Sequence, residues 1–311
     1  MEIAATDYHT AGEPFRIVSE GVPEIPGATV AEQRERAPDS DAAETLRRLL
    51  CHEPRGHADM YGCFLVGPDD GGADLGVLFW HKDGYSTACG HGTIALGAWA
   101  VETGRVAAPA DGEVDVTVDV PSGRVVARVR RERGRVASVA FRNVPSYVVA
   151  RGVPAAGVEV DLAYGGALYA GVPAAAFGLS VVPEHLPALI DAGRAVKRAL
   201  PNTDVYGTIL YEEAGELHER NVTIFADGEV DRSPCGSGTS ARCALLAVDG
   251  RLGDGDVLRQ DSIVGTTFLA RLVGETPGGL LTEVEGGAFR TGEHRFVLDD
   301  RDPLGTGFVL R

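Results

Sequence analysis

Two cysteines of this chain each head the same short motif. Cys89-Gly90-His91-Gly92-Thr93 recurs as Cys235-Gly236-Ser237-Gly238-Thr239, an offset of 146 residues (235 minus 89). Residues 89–105 and 235–251 share eight of seventeen positions, closing on Gly104-Arg105 and Gly250-Arg251. Thiols can act as nucleophiles, acids or bases through the thiolate, and the glycines around each one allow a ligand to approach the backbone closely. Shared packing would explain two buried cysteines, but not why the reactive-looking position itself is repeated.

The flanking residues predict how each cysteine is held. Thr93 to Val101 is apolar nearly all round, as in a helix enclosed within a domain. Gly104 falls where a C′ glycine would end that helix. Ala241 to Val248, followed by Gly250, repeats the pattern with Arg242 as its one long polar side chain. Both cysteines therefore head helices, where the unpaired N–H groups and the positive end of the dipole favour the thiolate. One such helix per half predicts two thiols facing each other across a cleft.

Length and composition narrow the function further. A chain of 311 residues suits two domains, in keeping with the repeat offset. With 29 Lys+Arg against 45 Asp+Glu the net charge is −16, which argues against nucleic acid or an anionic membrane as partner. No run approaches the roughly eighteen apolar residues of a membrane span. Met1 to Asp7 lacks a basic and then apolar leader, so a cytoplasmic location is expected. The five cysteines, Cys51, Cys63, Cys89, Cys235 and Cys243, are odd in number and widely spread, which predicts thiols rather than a disulfide framework. No Cys-x-x-Cys occurs and the close Cys/His pairs, Cys51-His52 and Cys89-x-His91, stand alone, so no metal is expected.

Along the chain, His9-Thr10-Ala11-Gly12-Glu13-Pro14 reads as a polar turn between strands. Ala31 to Leu50 reads as one surface helix. Glu53-Pro54-Arg55-Gly56-His57-Ala58-Asp59 is a polar loop that could line a site, although a lone histidine such as His57 is more often structural. Leu75 to Trp80, Val114 to Val120, Val125 to Val129, Val136 to Phe141 and Val222 to Phe225 alternate as strands, with turns at Asp83-Gly84 and Asp227-Gly228. Tyr164 to Ala170 reads as a buried strand with a glycine kink, Glu184 to Leu200 as an amphipathic helix, and Asp261 to Phe268 as a strand. Phe296 to Leu298 and Gly307 to Leu310 read as short closing strands. The expected fold is α/β (α+β), with domains at 1–125 and 126–294 and with 295–311 returning to the first.

These motifs carry a resemblance. His9-Thr10-Ala11-Gly12-Glu13, Glu53-Pro54-Arg55-Gly56-His57, Cys89-Gly90-His91-Gly92, Asp231-Arg232-Ser233-Pro234-Cys235-Gly236 and Asp302-Pro303-Leu304 with Gly307-Phe308 follow in the order found in the proline racemase family. That family also includes hydroxyproline 2-epimerases and trans-3-hydroxy-L-proline dehydratases. The resemblance implies two similar domains, each a curled, mostly antiparallel sheet around a central helix, like diaminopimelate epimerase, with the active site in the cleft between them. It implies a cofactor-free mechanism in which Cys89 and Cys235 remove and deliver the α-proton on opposite faces of an imino acid. By similarity the N–H groups of Gly90, His91, Gly236 and Ser237 would hold the substrate carboxylate. Asp231 would hold the ring ammonium, the alternative being a strand-end or capping aspartate. A homodimer is a base-rate expectation.

Three readings follow. Cysteine at both positions favours a racemase or 2-epimerase of proline or a hydroxyproline. Tyr206-Gly207-Thr208-Ile209-Leu210 and Phe225-Ala226-Asp227 look more like the dehydratase branch, in which one base suffices to expel the 3-hydroxyl. Where some 4-hydroxyproline epimerases carry a ring-contacting histidine, this chain has Gly207 or Thr208, which speaks against the 4-hydroxy substrate. The third reading is a binding or redox-sensing protein with Cys89 and Cys235 as an oxidisable pair.

Overall fold

The computed structural model describes residues 2–310, so Met1 and Arg311, the outermost residues of the expected domains, lie outside it. The chain forms two compact units. The first comprises Pro14–Val139 together with residues 2–10 and 287–310, and the second Ala140–Gly286 together with Ala11–Glu13. Among the described residues no helix is long and apolar enough to cross a membrane.

In the first unit the chain ends meet: Glu2–Thr10 pairs antiparallel with Ala288–Val297. Glu13–Val18 runs parallel to Gly62–Val66, which pairs antiparallel with Leu75–His81. Leu75–His81 runs parallel to Gly112–Val120, itself in a hairpin with Gly123–Glu132. These strands surround the helix Gly90–Glu102, whose residues are buried from Gly90 to Val101. In the second unit Tyr147–Ala155, Val158–Tyr164 and Leu168–Pro173 form an antiparallel meander. Val205–Gly215 joins it in parallel and pairs antiparallel with His218–Phe225, Leu258–Ser262 runs parallel to the latter, and Thr267–Thr276 and Gly279–Gly286 complete the sheet. The helix Gly236–Val248 packs against strands from both ends of this order. The fold is thus mixed α/β, each unit a mostly antiparallel sheet around one buried helix.

The two helices match residue for residue at the offset read from the motif. Each has 13 residues, 90 plus 146 being 236 and 102 plus 146 being 248. Both are followed by a left-handed glycine, Gly104 at φ 73° and Gly250 at φ 70°, as a C′ position requires.

Four expected elements differ. Residues 31–50 form two helices, Val30–Arg36 and Asp41–Cys51, separated by a 3-10 turn at Ala37–Asp39. Pro38 supplies no backbone donor there, and the Ser40 hydroxyl caps the second helix by accepting from the Ala43 N–H at 3.4 Å. Tyr164 to Ala170 is a hairpin rather than a kinked strand: Gly166 at φ 91° reverses the chain and Tyr164 pairs with Leu168. Asp261 to Phe268 also reverses, between Ser262 and Thr267, with the Ser262 and Thr266 hydroxyls 2.7 Å apart. Gly307 to Leu310 makes only a single bridge, Phe308 to Glu53.

The strand His218–Phe225 is buried on both faces. Val222 and Ile224 join an apolar core with Leu189, Ala192 and Val196 of the helix Leu186–Arg198. On the other face Glu219, Asn221 and Thr223 are 1%, 1% and 0% exposed, a polar stripe at the two-residue period of a strand. Glu219 accepts from the Arg242 Nε at 3.0 Å and from the Gln260 side chain at 2.7 Å. The Arg242 guanidinium also lies over the Tyr211 ring, 3.8 Å from its centroid. Removing one partner of such a pair leaves a buried charge uncompensated. Glu219→Ala should therefore lose about 3–5 kcal/mol of stability in urea unfolding. The apolar double variant Glu219→Leu/Arg242→Met should recover most of the loss; no recovery would mean that the pair's charge is not the cause.

Candidate active site

In the first unit Cys89 is the N-cap of its helix, with extended backbone at φ −152° and ψ 101°. Its Sγ accepts the Gly92 N–H at 3.3 Å, so the thiol sulfur takes the place of a capping hydroxyl. Both ring nitrogens of His91 lie 3.5 Å from Sγ. The His91 ring is held edge-on between Phe15 and Tyr61, with centroids at 5.7 and 5.1 Å. Thr10 donates its hydroxyl to the His91 carbonyl at 2.9 Å. Gly92 cannot be larger: a Cβ there would stand 2.5 Å from the Phe15 ring and 2.8 Å from the Cys89 sulfur.

In the second unit Asp231 ends the strand Glu229–Asp231, and its Oδ1 accepts from the Ser233 N–H at 2.9 Å and the Ser233 hydroxyl at 2.7 Å. The Ser233 hydroxyl in turn accepts from the Cys235 N–H at 3.1 Å. This turn delivers Cys235 to the helix start with a left-handed backbone, φ 62° and ψ 102°, which a non-glycine residue rarely adopts. The Cys235 side chain makes no well-formed capping hydrogen bond, although the Gly238 N–H lies near enough to act on the sulfur. Its Sγ lies 3.9 Å from the Tyr169 hydroxyl. Gly238, the counterpart of Gly92, could not carry a Cβ without coming within 3.0 Å of both Sγ and Ile209.

The helix start was expected to make each cysteine more acidic. For Cys235 the balance goes the other way. Burial raises the thiol well above its ordinary range and the Asp231 carboxylate adds to this, while the Gly238 N–H and the Thr223 and Tyr169 hydroxyls pull down without prevailing. Burial also raises Asp231 itself, to about 6, against the pull of Ser233, Cys235 and Arg232.

Cys89, Gly90 and His91 thus share one helix start, and Asp231, Cys235, Gly236 and Ser237 share the turn and helix start of the other unit. A family model described as Proline racemase matches residues 5–309. The chain belongs to the proline racemase family. It is 41% identical to a trans-3-hydroxy-L-proline dehydratase of Bacillus cereus, over 98% of this chain and 97% of that protein. It is 42% identical to a 3-hydroxyproline 2-epimerase of Burkholderia multivorans, over 99% and 98% respectively. A solved hydroxyproline epimerase from Agrobacterium vitis, with bound trans-4-hydroxy-L-proline, superposes at a TM-score of 0.93. The two are 31% identical, over 99% of this chain and 95% of that one.

The remaining motifs of the proline racemase pattern serve other contacts. Glu53 and Phe308 exchange backbone hydrogen bonds of 3.1 and 2.9 Å, and Arg55 donates to the carbonyls of Val297 and Gly305. The polar loop at 53–57 and the closing motif therefore clasp each other. Glu13 accepts from the Arg232 N–H at 2.7 Å, and the Thr266 hydroxyl donates to the Ala11 carbonyl at 2.6 Å. These contacts tie Ala11–Glu13 to the turn before Cys235. Tyr169, Asn221 and Thr223 were missed as neighbours of Cys235 and its turn. Tyr169 falls in the stretch read as one strand, Thr223 within the strand read from Val222 to Phe225, and Asn221 just before it.

The buried Asp231 sets a pH dependence. Native Asp231 keeps its proton up to about pH 6, whereas an unfolded aspartate releases it near 3.9. Between these values the native state binds more protons, so stability falls as pH rises, by on the order of 3 kcal/mol in all. Relative to Asp231→Asn, the protein should lose that much between about pH 4 and pH 6 in urea unfolding; a difference independent of pH would contradict the assignment.

Proposed function

We propose that this protein is a 2-epimerase of 3-hydroxyproline, in which Cys89 and Cys235 act as acid and base on opposite faces of one α-carbon. The observation that carries the reading is a cysteine at the same position before two helices of equal length whose bounds coincide at the motif offset. The 3-hydroxy substrate is favoured because relatives at 41% and 42% identity are named for it, against 31% for the structure named with the 4-hydroxy compound. No cofactor is invoked.

The environments of the two sulfurs suit a division of labour. Cys89, which accepts an N–H at its sulfur and lies beside His91, is taken as the base in this direction. Cys235, raised by burial and then by Asp231, holds its proton and is suited to deliver it. The α-proton passes to Cys89 Sγ, the electron pair left on the α-carbon is delocalised into the carboxylate, and the Cys235 proton goes to the opposite face. The reverse reaction exchanges the roles. The N–H groups of Gly90, His91, Gly236 and Ser237, at helix starts without intrahelical acceptors, would hold the carboxylate and the charge developing on it. Asp231 would hold the ring ammonium, which would favour its ionised form.

A second reading is dehydration of trans-3-hydroxy-L-proline, favoured by the name of the Bacillus cereus relative. There a single cysteine removes the α-proton, the 3-hydroxyl leaves as water with a proton from the site, and the enamine rearranges to pyrroline-2-carboxylate.

Proton NMR in D₂O with trans-3-hydroxy-L-proline, trans-4-hydroxy-L-proline and L-proline in separate tubes distinguishes these. Loss of the α-proton signal with a new diastereomer of the 3-hydroxy compound is the expected result. Cys89→Ser and Cys235→Ser should each slow that exchange by about 10²–10⁴-fold, as loss of an acid–base group does. A pyrroline product that persists in Cys235→Ser would establish the dehydratase instead. Silence in all three tubes would sink both readings for these substrates.

A further inference from the structure

The backbone that presents the Cys235 sulfur is strained, and the structure shows what holds it. Cys235 sits at φ 62° and ψ 102°, a conformation that persists only where its surroundings over-determine it. The peptide entering it is gripped at the Pro234 carbonyl, which accepts from the Asn221 side-chain amide at 3.0 Å and from the Thr239 hydroxyl at 3.0 Å. Asn221 is itself fixed, since the same amide donates to Gln260 Oε1 at 2.8 Å and Gln260 donates on to Glu219. Glu219 pairs with Arg242 of the Cys235 helix, so the chain of contacts closes on the element where it began.

Thr223 is the next residue along the same strand face. It pairs in register with Asp231 on the neighbouring strand and is fully buried. Its hydroxyl makes no well-formed hydrogen bond, yet it is close enough to the Cys235 thiol to draw that group toward the ionised form. A buried hydroxyl without a well-formed partner is costly.

We propose that Asn221 and Thr223 are positioning residues for Cys235: Asn221 fixes the strained backbone that carries the sulfur, and Thr223 offers its hydroxyl to the sulfur as a proton leaves or arrives. Neither is assigned contact with substrate. When Cys235 gives up its proton the Thr223 hydroxyl donates to the thiolate, and when the proton returns that hydrogen bond weakens. The charged group facing the sulfur in this unit is Asp231, which opposes the thiolate, while the neutral hydroxyl of Tyr169 supports it alongside Thr223.

The test reads the sulfur directly. Alkylation of each cysteine by iodoacetamide at pH 8.5 is followed by peptide mass spectrometry in the full-length protein, with Cys89 as internal control. Thr223→Val should slow Cys235 alkylation about tenfold, the effect of losing one hydrogen bond to a charged group. Thr223→Ser, which keeps the hydroxyl, should stay within about twofold, and Cys89 should be unaffected in both. Asn221→Ala should lower the rate of α-proton exchange about tenfold with little change in KM, as expected for loss of alignment rather than of binding. Thr223→Val alkylating at the parent rate, or Thr223→Ser slowing as much as Thr223→Val, would overturn the proposal. Its importance for turnover rests on reading Cys235 as an acid–base group, whereas the alkylation does not. Slower alkylation with unchanged exchange would therefore uphold the positioning and remove Cys235 from the chemistry.

Discussion

A helix that is apolar on every side has to be enclosed on every side, and that constraint shapes both units. Neither Gly90–Glu102 nor Gly236–Val248 has a face to give to water. Each is surrounded by strands drawn from distant parts of the chain, including, in the first unit, both of its ends. Burying the flanks leaves the first turn as the place where polar chemistry is possible, because its N–H groups have no acceptors within the helix. A cysteine at that point is buried and still beside backbone donors.

Duplication sets the frame, but the two starts are not copies in their electrostatics. Cys89 takes an ordinary extended N-cap conformation and uses its sulfur to accept an N–H. Cys235 is turned into a left-handed conformation by the Asp231–Ser233 turn and lies beside a carboxylate. Burial and the Asp231 carboxylate act against the thiolate there more strongly than the Gly238 N–H and the nearby hydroxyls act for it. The asymmetry suits a reaction that needs a base on one side and an acid on the other.

The Cys235 unit also holds a polar network where a simpler core would be apolar. Glu219, Asn221, Gln260 and Arg242 are all buried and joined by hydrogen bonds, which costs desolvation and returns a fixed geometry. Such a network has few alternative arrangements, so it can hold a backbone conformation that a fluid apolar core would let relax.

By itself the sequence determined the duplicated motif, the presence of a buried helix after each cysteine, the glycines that end them, and membership in the proline racemase family. These rest on local rules of capping, left-handed glycine and helical apolarity, which need no knowledge of neighbours. Tertiary structure alone decided that Glu219, Asn221 and Thr223 face the cysteine helix. Their alternation with Val222 and Ile224 is that of a strand with one wet face, and only the packing of a helix over each side reveals two buried ones. It also decided that Tyr164 to Ala170 turns back, that the loop at 53–57 clasps Phe308, and that burial raises the Cys235 thiol. The last depends on how much low-dielectric protein surrounds the sulfur, a quantity no spacing of residues along a chain expresses.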